Sequence, residues 1–233
     1  MFVQSYGLKN FIKEFLANAQ ETIDFARLHP ATSLRRAAHQ TTMEFIKSRC
    51  PRAISFPSQR QLLDFALTKA SLTGSYLELG VYRGASVNRI ADRIRPNQIH
   101  GFDSFEGLPE DWFNMPKEFF SLDGKLPKVR SNVILHKGFY DQSLPPWVAQ
   151  NNGPIAFAHI DCDVYASTQV VLANIGPLLR PGTILLFDDY FNQPFWEEDS
   201  HKAFEEFLAK SGLGVRYLGF SYKEMLVRIS EPK

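Results

Sequence analysis

Ser75-Tyr-Leu-Glu-Leu-Gly80-Val-Tyr-Arg-Gly84-Ala-Ser86 reads as an apolar strand that ends in a glycine turn and runs directly into a helix over 85–94. A strand, glycine turn and helix in that order mark the place where a doubly wound sheet meets a nucleotide. The glycine spacing narrows the ligand. A dinucleotide fingerprint needs a second glycine where this chain has Tyr82, so that backbone can approach a pyrophosphate, and a tyrosine side chain obstructs that approach. The turn therefore does not suit NAD or FAD. No Gly-Lys-Ser or Gly-Lys-Thr follows it either, which excludes a Walker loop. A nucleoside ligand without phosphates remains, and S-adenosylmethionine fits. Asp103 ends the next strand, where an acidic side chain can accept hydrogen bonds from both ribose hydroxyls. Glu78 is placed to help hold the cationic amino group of the methionine part. A turn that serves only packing would explain the Gly80 and Gly84 spacing equally well; Asp103 favours the ligand reading.

Outward from this turn, the chain divides in two. Residues 8–70 are helical in pattern, with Phe11, Phe15, Ala19, Ile23 and Phe25 at three-to-four spacing, then helices over 33–48 and 59–70. No strand signal precedes Ser75. Beyond it strands at 75–80, 98–103, 132–137, 155–160 and 183–187 are interleaved with helices at 85–94 and 169–179, which implies a parallel sheet with right-handed crossovers. A helix over 200–210 and strands over 214–220 and 223–229 follow. Only Ser221 and Tyr222 separate the last two strands, so they form an antiparallel hairpin. The expected fold class is α/β, a Rossmann-like sheet of parallel strands ending in that hairpin. Residues 1–70 form an N-terminal helical lid or oligomerisation segment, and residues 71–233 the main domain. The segment 105–131 lacks periodicity and carries Trp112, Phe113, Phe119 and Phe120. These aromatics either wall an acceptor pocket or pad the N-terminal helices.

Two pairs of aspartates end two of the apolar strands, in Ile155-Ala-Phe-Ala-His-Ile-Asp161-Cys-Asp163 and Thr183-Ile-Leu-Leu-Phe-Asp188-Asp189. Ligands bind beyond the carboxyl ends of strands in such sheets, and clustered carboxylates call for a cation or a shared proton. Asp161, Asp188 and Asp189 are the expected Mg²⁺ ligands. Asp163 is the expected base, taking the proton of an acceptor hydroxyl during attack on the methyl group. Against this stands helix capping, since Asp163 or Ser167 can cap the helix that begins near Ala166. The Asp161-x-Asp163 pair also suits a metal-dependent glycosyltransferase, which leaves Gly80 and Asp103 unexplained. A haloacid-dehalogenase start is disfavoured by Tyr165. His159 and His201 read as core histidines with access to the site in reserve, Cys162 as a packing residue, and Glu197, Glu198 and Asp199 as partners of a helix dipole.

Composition sets the outer limits. The 233 residues suit one substantial domain with added helices, and 44% of them are hydrophobic. With 26 basic and 25 acidic residues the net charge is +1, so neither nucleic acid nor an anionic membrane is an expected partner. A small hydroxylated molecule is. Two cysteines build no disulfide framework, and the first residues lack a basic stretch followed by an apolar one. The expectation is a soluble cytoplasmic protein.

Four motifs together resemble the macrocin O-methyltransferase family, enzymes that methylate sugar hydroxyls of antibiotics. They are Leu77-Glu-Leu-Gly-Val-Tyr-Arg-Gly84, Gly101-Phe-Asp-Ser-Phe-Glu-Gly-Leu-Pro109, His159-Ile-Asp-Cys-Asp-Val-Tyr-Ala-Ser-Thr168 and Leu186-Phe-Asp-Asp-Tyr190. The resemblance implies a class I methyltransferase fold, S-adenosylmethionine as donor, Mg²⁺ dependence and a role in natural-product biosynthesis. It assigns metal binding to Asp161, Asp188 and Asp189, base catalysis to Asp163, and ribose contact to Asp103. Residues around Gly80, including Tyr82 and Ser86, together with Ser104, Gly138, Phe139 and Asp161, are implied to line the donor pocket. The N-terminal helices are implied to act as a lid, and the protein to form homo-oligomers.

Overall fold

The computed structural model describes residues 2–113 and 115–232; the side chains of residues 2–11 and 26–27 lie outside the description, so Phe11 of the N-terminal pattern does too. Two helices lead the chain, α1 (Phe2–Leu28) and α2 (Pro30–Arg49), followed by a short strand β1 (Ile54–Ser55) and α3 (Gln59–Lys69). The alternating region runs β2 (Ser75–Leu79), α4 (Ala85–Arg93), β3 (Ile99–Asp103), β4 (Val133–Lys137), α5 (Tyr140–Gln150), β5 (Ile155–Ile160), α6 (Tyr165–Ile175) and β6 (Ile184–Phe187). It closes with α7 (Ser200–Ser211), β7 (Gly214–Phe220) and β8 (Met225–Ser230).

The strands form one eight-stranded sheet in the order β1-β7-β8-β6-β5-β2-β3-β4. Only β8 runs antiparallel, set between β6 and β7. The expected α/β sheet with its terminal hairpin is present. Every residue of β5 and β6 is buried, which is why both read as unbroken apolar runs rather than alternating ones. One face is covered by α2, α5, α6 and α7, where Phe45, Trp147, Leu172 and Phe204 meet Leu77, Leu79 and Phe187. The other is covered by α3 and α4, where Leu62, Leu63 and Ile90 meet Phe157, Ile184 and Leu186. Each such fully buried side chain contributes about 1.5–3 kcal/mol through area removed from water.

Three departures from the sequence reading have local causes. Strand β1 is two residues long and pairs parallel with β7 through Ile54 and Ser55, too short to leave a periodic signal before Ser75. Helix α5 was unanticipated because Pro145 and Pro146 interrupt its pattern, although Leu144 and Trp147 are buried at helical spacing. Helix α6 lies over 165–175 rather than 169–179, because Gly176-Pro177 converts its end to a 3₁₀ turn.

The N-terminal helices differ in how they are held. Helix α2 buries Ala38, Thr42 and Phe45, so it belongs to the sheet's core. Helix α1 leaves Phe15, Phe25 and Leu28 at 64%, 70% and 79% exposure. No helix among the described residues is long and apolar enough to cross a membrane.

Candidate functional site

Ladder geometry assembles the site. Gly80 N–H donates to Phe102 O at 2.9 Å, Asp161 N–H to Leu79 O at 2.8 Å, and Asp188 N–H to Ile160 O at 3.0 Å. These bonds carry the pairing of β2, β3, β5 and β6 just past their carboxyl ends. Gly80, Asp103, Asp161 and Asp188 therefore stand side by side where connections diverge to opposite directions in the sheet. Gly80 has φ +105°, and a Cβ built there would lie 2.0 Å from Asp161 O. Only glycine fits this contact.

Asp103 locks the turn. Its Oδ2 accepts from Val81 N–H at 2.8 Å and Tyr82 N–H at 2.7 Å, and its Oδ1 accepts from Phe105 N–H at 2.7 Å. One lone pair on Oδ1 is left over, and the side chain lines a cavity of about 820 Å³. Tyr82 and Phe105 hold left-handed backbone at φ 47° and 56° around that carboxylate. Gly80, Tyr82, Ser104, Gly138 and Phe139 line the same cavity, as does Asp161. Two expected members of the donor pocket do not. Glu78 is fully buried behind the turn, and Ser86 lies beside Glu78, where a hydrogen bond from its hydroxyl favours the ionised carboxyl.

The aspartates divide differently from the sequence expectation. Asp161, Asp163 and Asp189 bring one ligand oxygen each to within 4.8 Å of one another. Asp188 lines the cavity but is engaged on its other side: Gln59 Nε2 donates to it, His159 Nε2 lies 3.6 Å away, and Lys223 Nζ lies 3.5 Å away. Asp163 sits at φ 59° and faces the cavity. The N-cap of α6 is Val164 and makes no side-chain cap bond, so the capping alternative for Asp163 is not what the chain adopts.

Electrostatics follow from this grouping. Burial, then repulsion from Asp188 and Asp163, pushes the Asp161 carboxyl well above the usual range. Burial and Asp189 do the same to Asp163. Burial raises Asp189 to about 6 although Lys223 opposes it. Asp188 goes the other way: burial is outweighed by His159 and Lys223, and its carboxyl is held below the ordinary value. His159, fully buried, donates or accepts at Nδ1 with Glu78 Oε1 at 3.0 Å. Burial disfavours its charge, but Asp188 and Glu78 outweigh that and raise it well above the ordinary imidazole value. A charged imidazolium thus lies under the cluster, between two acids.

This donor set fits a hard divalent cation. Three carboxylates that repel one another in a buried site gain most from a small oxygen-seeking ion such as Mg²⁺. The glycine cradle fits a nucleoside, since Asp103 fixes the backbone and keeps one lone pair free.

Beside Trp112 and Phe120, which the sequence already offered as pocket walls, the cavity has wall residues that sequence reasoning missed: Leu108, Pro109, Met115, Gln193 and Lys223. Leu108, Pro109, Trp112, Met115 and Phe120 form an apolar wall, and Gln193 and Lys223 add polar groups. Gln193 Nε2 is buried without a hydrogen-bond partner. Of the four aromatics singled out in 105–131, Trp112 and Phe120 line the cavity, while Phe113 and Phe119 are exposed at 51% and 57%. His201 does not line the cavity; it packs against Phe45, Tyr190 and Trp196 with ring centroids 5.1, 5.1 and 4.8 Å away. Cys162 is buried in the core and also lines the cavity. Asp199 accepts from Trp112 Nε1 at 3.4 Å, and Glu197 from Thr41 Oγ1 at 2.5 Å. No described residue before Gly80 lines the cavity.

Residues 77–190 match the family described as a methyltransferase domain. A relative from Streptomyces olivaceus, 8-demethyl-8-(2,3-dimethoxy-alpha-L-rhamnosyl)-tetracenomycin-C 4'-O-methyltransferase, is 31% identical over 138 residues, covering 50% of this chain and 53% of that protein. The chain thus spans about half the length of that relative. The calicheamicin methyltransferase CalS11 superposes with a TM-score of 0.59 at 20% identity, covering 86% of this chain and 93% of that one. The O-methyltransferase NovP superposes with a TM-score of 0.59 at 19% identity, covering 75% and 80%. At such identities the two structures speak for the fold, which is that of class I methyltransferases. The family and the relative agree with the resemblance read from the motifs at Gly80, Asp103, Asp161 and Asp188.

Proposed function

We propose that this chain, which carries a methyltransferase domain over residues 77–190, transfers a methyl group from S-adenosylmethionine to a hydroxyl of a sugar or glycosylated small molecule, with Mg²⁺ in the site. The observation that carries this reading is the opening of the Gly80 turn, Asp103 and the carboxylate group of Asp161, Asp163 and Asp189 onto one cavity. The relative named for methylating a rhamnosyl 4'-hydroxyl supports the acceptor class. A metal-dependent glycosyltransferase would leave the Gly80 cradle and Asp103 without a role.

In this reading Asp103 orients the ribose, and Tyr82, Gly138 and Phe139 enclose the donor. Asp161 and Asp189, with Asp188 beside them, would hold the ion. Mg²⁺, when bound, stabilises the developing alkoxide of the acceptor. Asp163 takes the acceptor proton as the oxygen–methyl bond forms and the sulfur–methyl bond breaks, leaving S-adenosylhomocysteine. Burial and Asp189 raise its pKa, which makes its carboxylate a stronger base than an ordinary one. Trp112, Met115 and Phe120 exclude water and present apolar surface to the faces of the acceptor, while Gln193 offers its unpartnered amide.

The test is Asp163→Asn, assayed with radiolabelled donor against rhamnosylated acceptors and by calorimetry with S-adenosylhomocysteine. Loss of the base is expected to slow turnover by about 10²–10⁴-fold with cofactor affinity retained. A near-native rate would remove Asp163 as the base. Failure of the wild-type chain to bind S-adenosylhomocysteine would refute the donor assignment itself.

A further inference from the structure

Lys223 lies in the turn between β7 and β8, and its backbone is clamped beside the site: Tyr190 N–H donates to Lys223 O at 2.9 Å, and Lys223 N–H donates to Glu224 Oε2 at 3.2 Å. Its ammonium, on a flexible four-carbon stem, lies 2.5 Å from Asp189 Oδ1 and 3.5 Å from Asp188 Oδ2. The side chain is 33% exposed and lines the cavity, so the tip has room to leave while the backbone stays fixed. Asp189 belongs both to this ion pair and to the oxygen triad with Asp161 and Asp163. An ion ligated by Asp189 and an ammonium bonded to the same carboxylate would stand a few ångströms apart, where like charges repel strongly in a buried site.

We propose that Lys223 is the resident counter-cation of the carboxylate cluster, that its ammonium and a divalent cation occupy the cluster in alternation, and that metal binding swings the ammonium into the cavity. The inference rests on the metal reading above. It gives the lysine a task separate from chemistry: it neutralises Asp188 and Asp189 when no metal is bound, and it lowers the affinity with which the metal enters. The backbone anchored at Tyr190 makes the exchange a movement of the side chain alone.

The experiment is calorimetric titration of Mn²⁺ and Mg²⁺ into the wild-type chain, Lys223→Met and Lys223→Gln. Removing the competing charge is expected to tighten metal binding by roughly tenfold or more in both variants. Equal or weaker binding in the variants, with binding in the wild type intact, overturns the lysine exchange and leaves the metal reading standing. No binding in any of the three proteins overturns both. A measurement on the wild type alone guards against variants that fail to fold: lysine acetylation mapped by mass spectrometry, with Lys202 as the internal reference. Saturating Mn²⁺ is expected to raise labelling of Lys223, and unchanged or diminished labelling overturns the exchange.

Discussion

Asp189→Asn tests the electrostatics of the site without any substrate. The Asp189 carboxyl is raised from 3.8 to about 6 in the folded chain, with burial as the leading cause and Lys223 in partial opposition. A folded-state pKa above the unfolded one means that the native state binds the proton more tightly. Stability then falls as pH rises from about 4 to about 6 and stays reduced above that. A rise of about two units corresponds to about 3 kcal/mol, or about 6–12 °C in Tm for a chain of this size. Asparagine carries no such proton. The difference in unfolding free energy between wild type and variant, measured by urea titration in chelator across pH 4.5–7.5, should shift by about 2 kcal/mol in the variant's favour as pH rises, the rest of the effect lying below that window. Subtraction removes the titration of distant groups common to both. Saturating Mg²⁺ should abolish the shift in the wild type, because a bound cation favours the ionised carboxylate. A flat difference across that pH range would refute the argument that burial, rather than the Lys223 pair, decides the state of Asp189.

Gly80→Ala places a Cβ 2.0 Å from Asp161 O on a backbone at φ +105°, so the turn must shift. A stability loss of at least about 1–3 kcal/mol and loss of S-adenosylhomocysteine binding are expected in melts and calorimetry. Trp112→Ala opens the apolar wall of the cavity and should raise the acceptor KM more than it changes the Kd for S-adenosylhomocysteine; equal effects on both would place Trp112 at the donor end. Phe204→Ala empties a fully buried position between α7 and the sheet. Urea denaturation should register about 3–5 kcal/mol of lost stability.

Much of the frame was legible because burial on both faces leaves a plain signal. The runs 155–160 and 183–187 are apolar without alternation, and their carboxyl ends mark the site edge. What escaped the reading depends on contacts between distant segments. Asp188 was grouped with Asp161 and Asp189 because it follows the strand directly, but its partners come from residues 59, 159 and 223. Glu78 looked like a ligand for a cationic group, and it does meet one: His159, through adjacent strands paired at Glu78 and His159. Strand register, which sequence alone does not supply, decides that pairing. Lys223 gave no signal, since a lysine beside a hairpin turn is ordinary. The lid reading of residues 1–70 rested on relatives. Here α2 and α3 form part of the core, and Gln59 at the start of α3 reaches Asp188.

Counting charge across the site explains why so many acids are tolerated there. Glu78, Asp161, Asp163, Asp188 and Asp189 meet two cationic side chains, His159 and Lys223. Full ionisation would leave an excess of three negative charges in a buried volume, and Asp161, Asp163 and Asp189 are the three cavity-lining carboxyls whose pKa values are raised. Without metal, protons are drawn to those positions. Under the proposed function, one divalent ion and one sulfonium supply three positive charges and replace them. Methyl transfer then removes the sulfonium charge while the acceptor proton arrives on Asp163. The site therefore remains balanced before and after the step, and no buried charge is left uncompensated at the moment of transfer. Asparagine, neutral like the protonated Asp163, leaves one positive charge in excess while metal and sulfonium are bound and gives the acceptor proton nowhere to go. Its loss should therefore fall on turnover and leave binding of the uncharged-sulfur product S-adenosylhomocysteine in place.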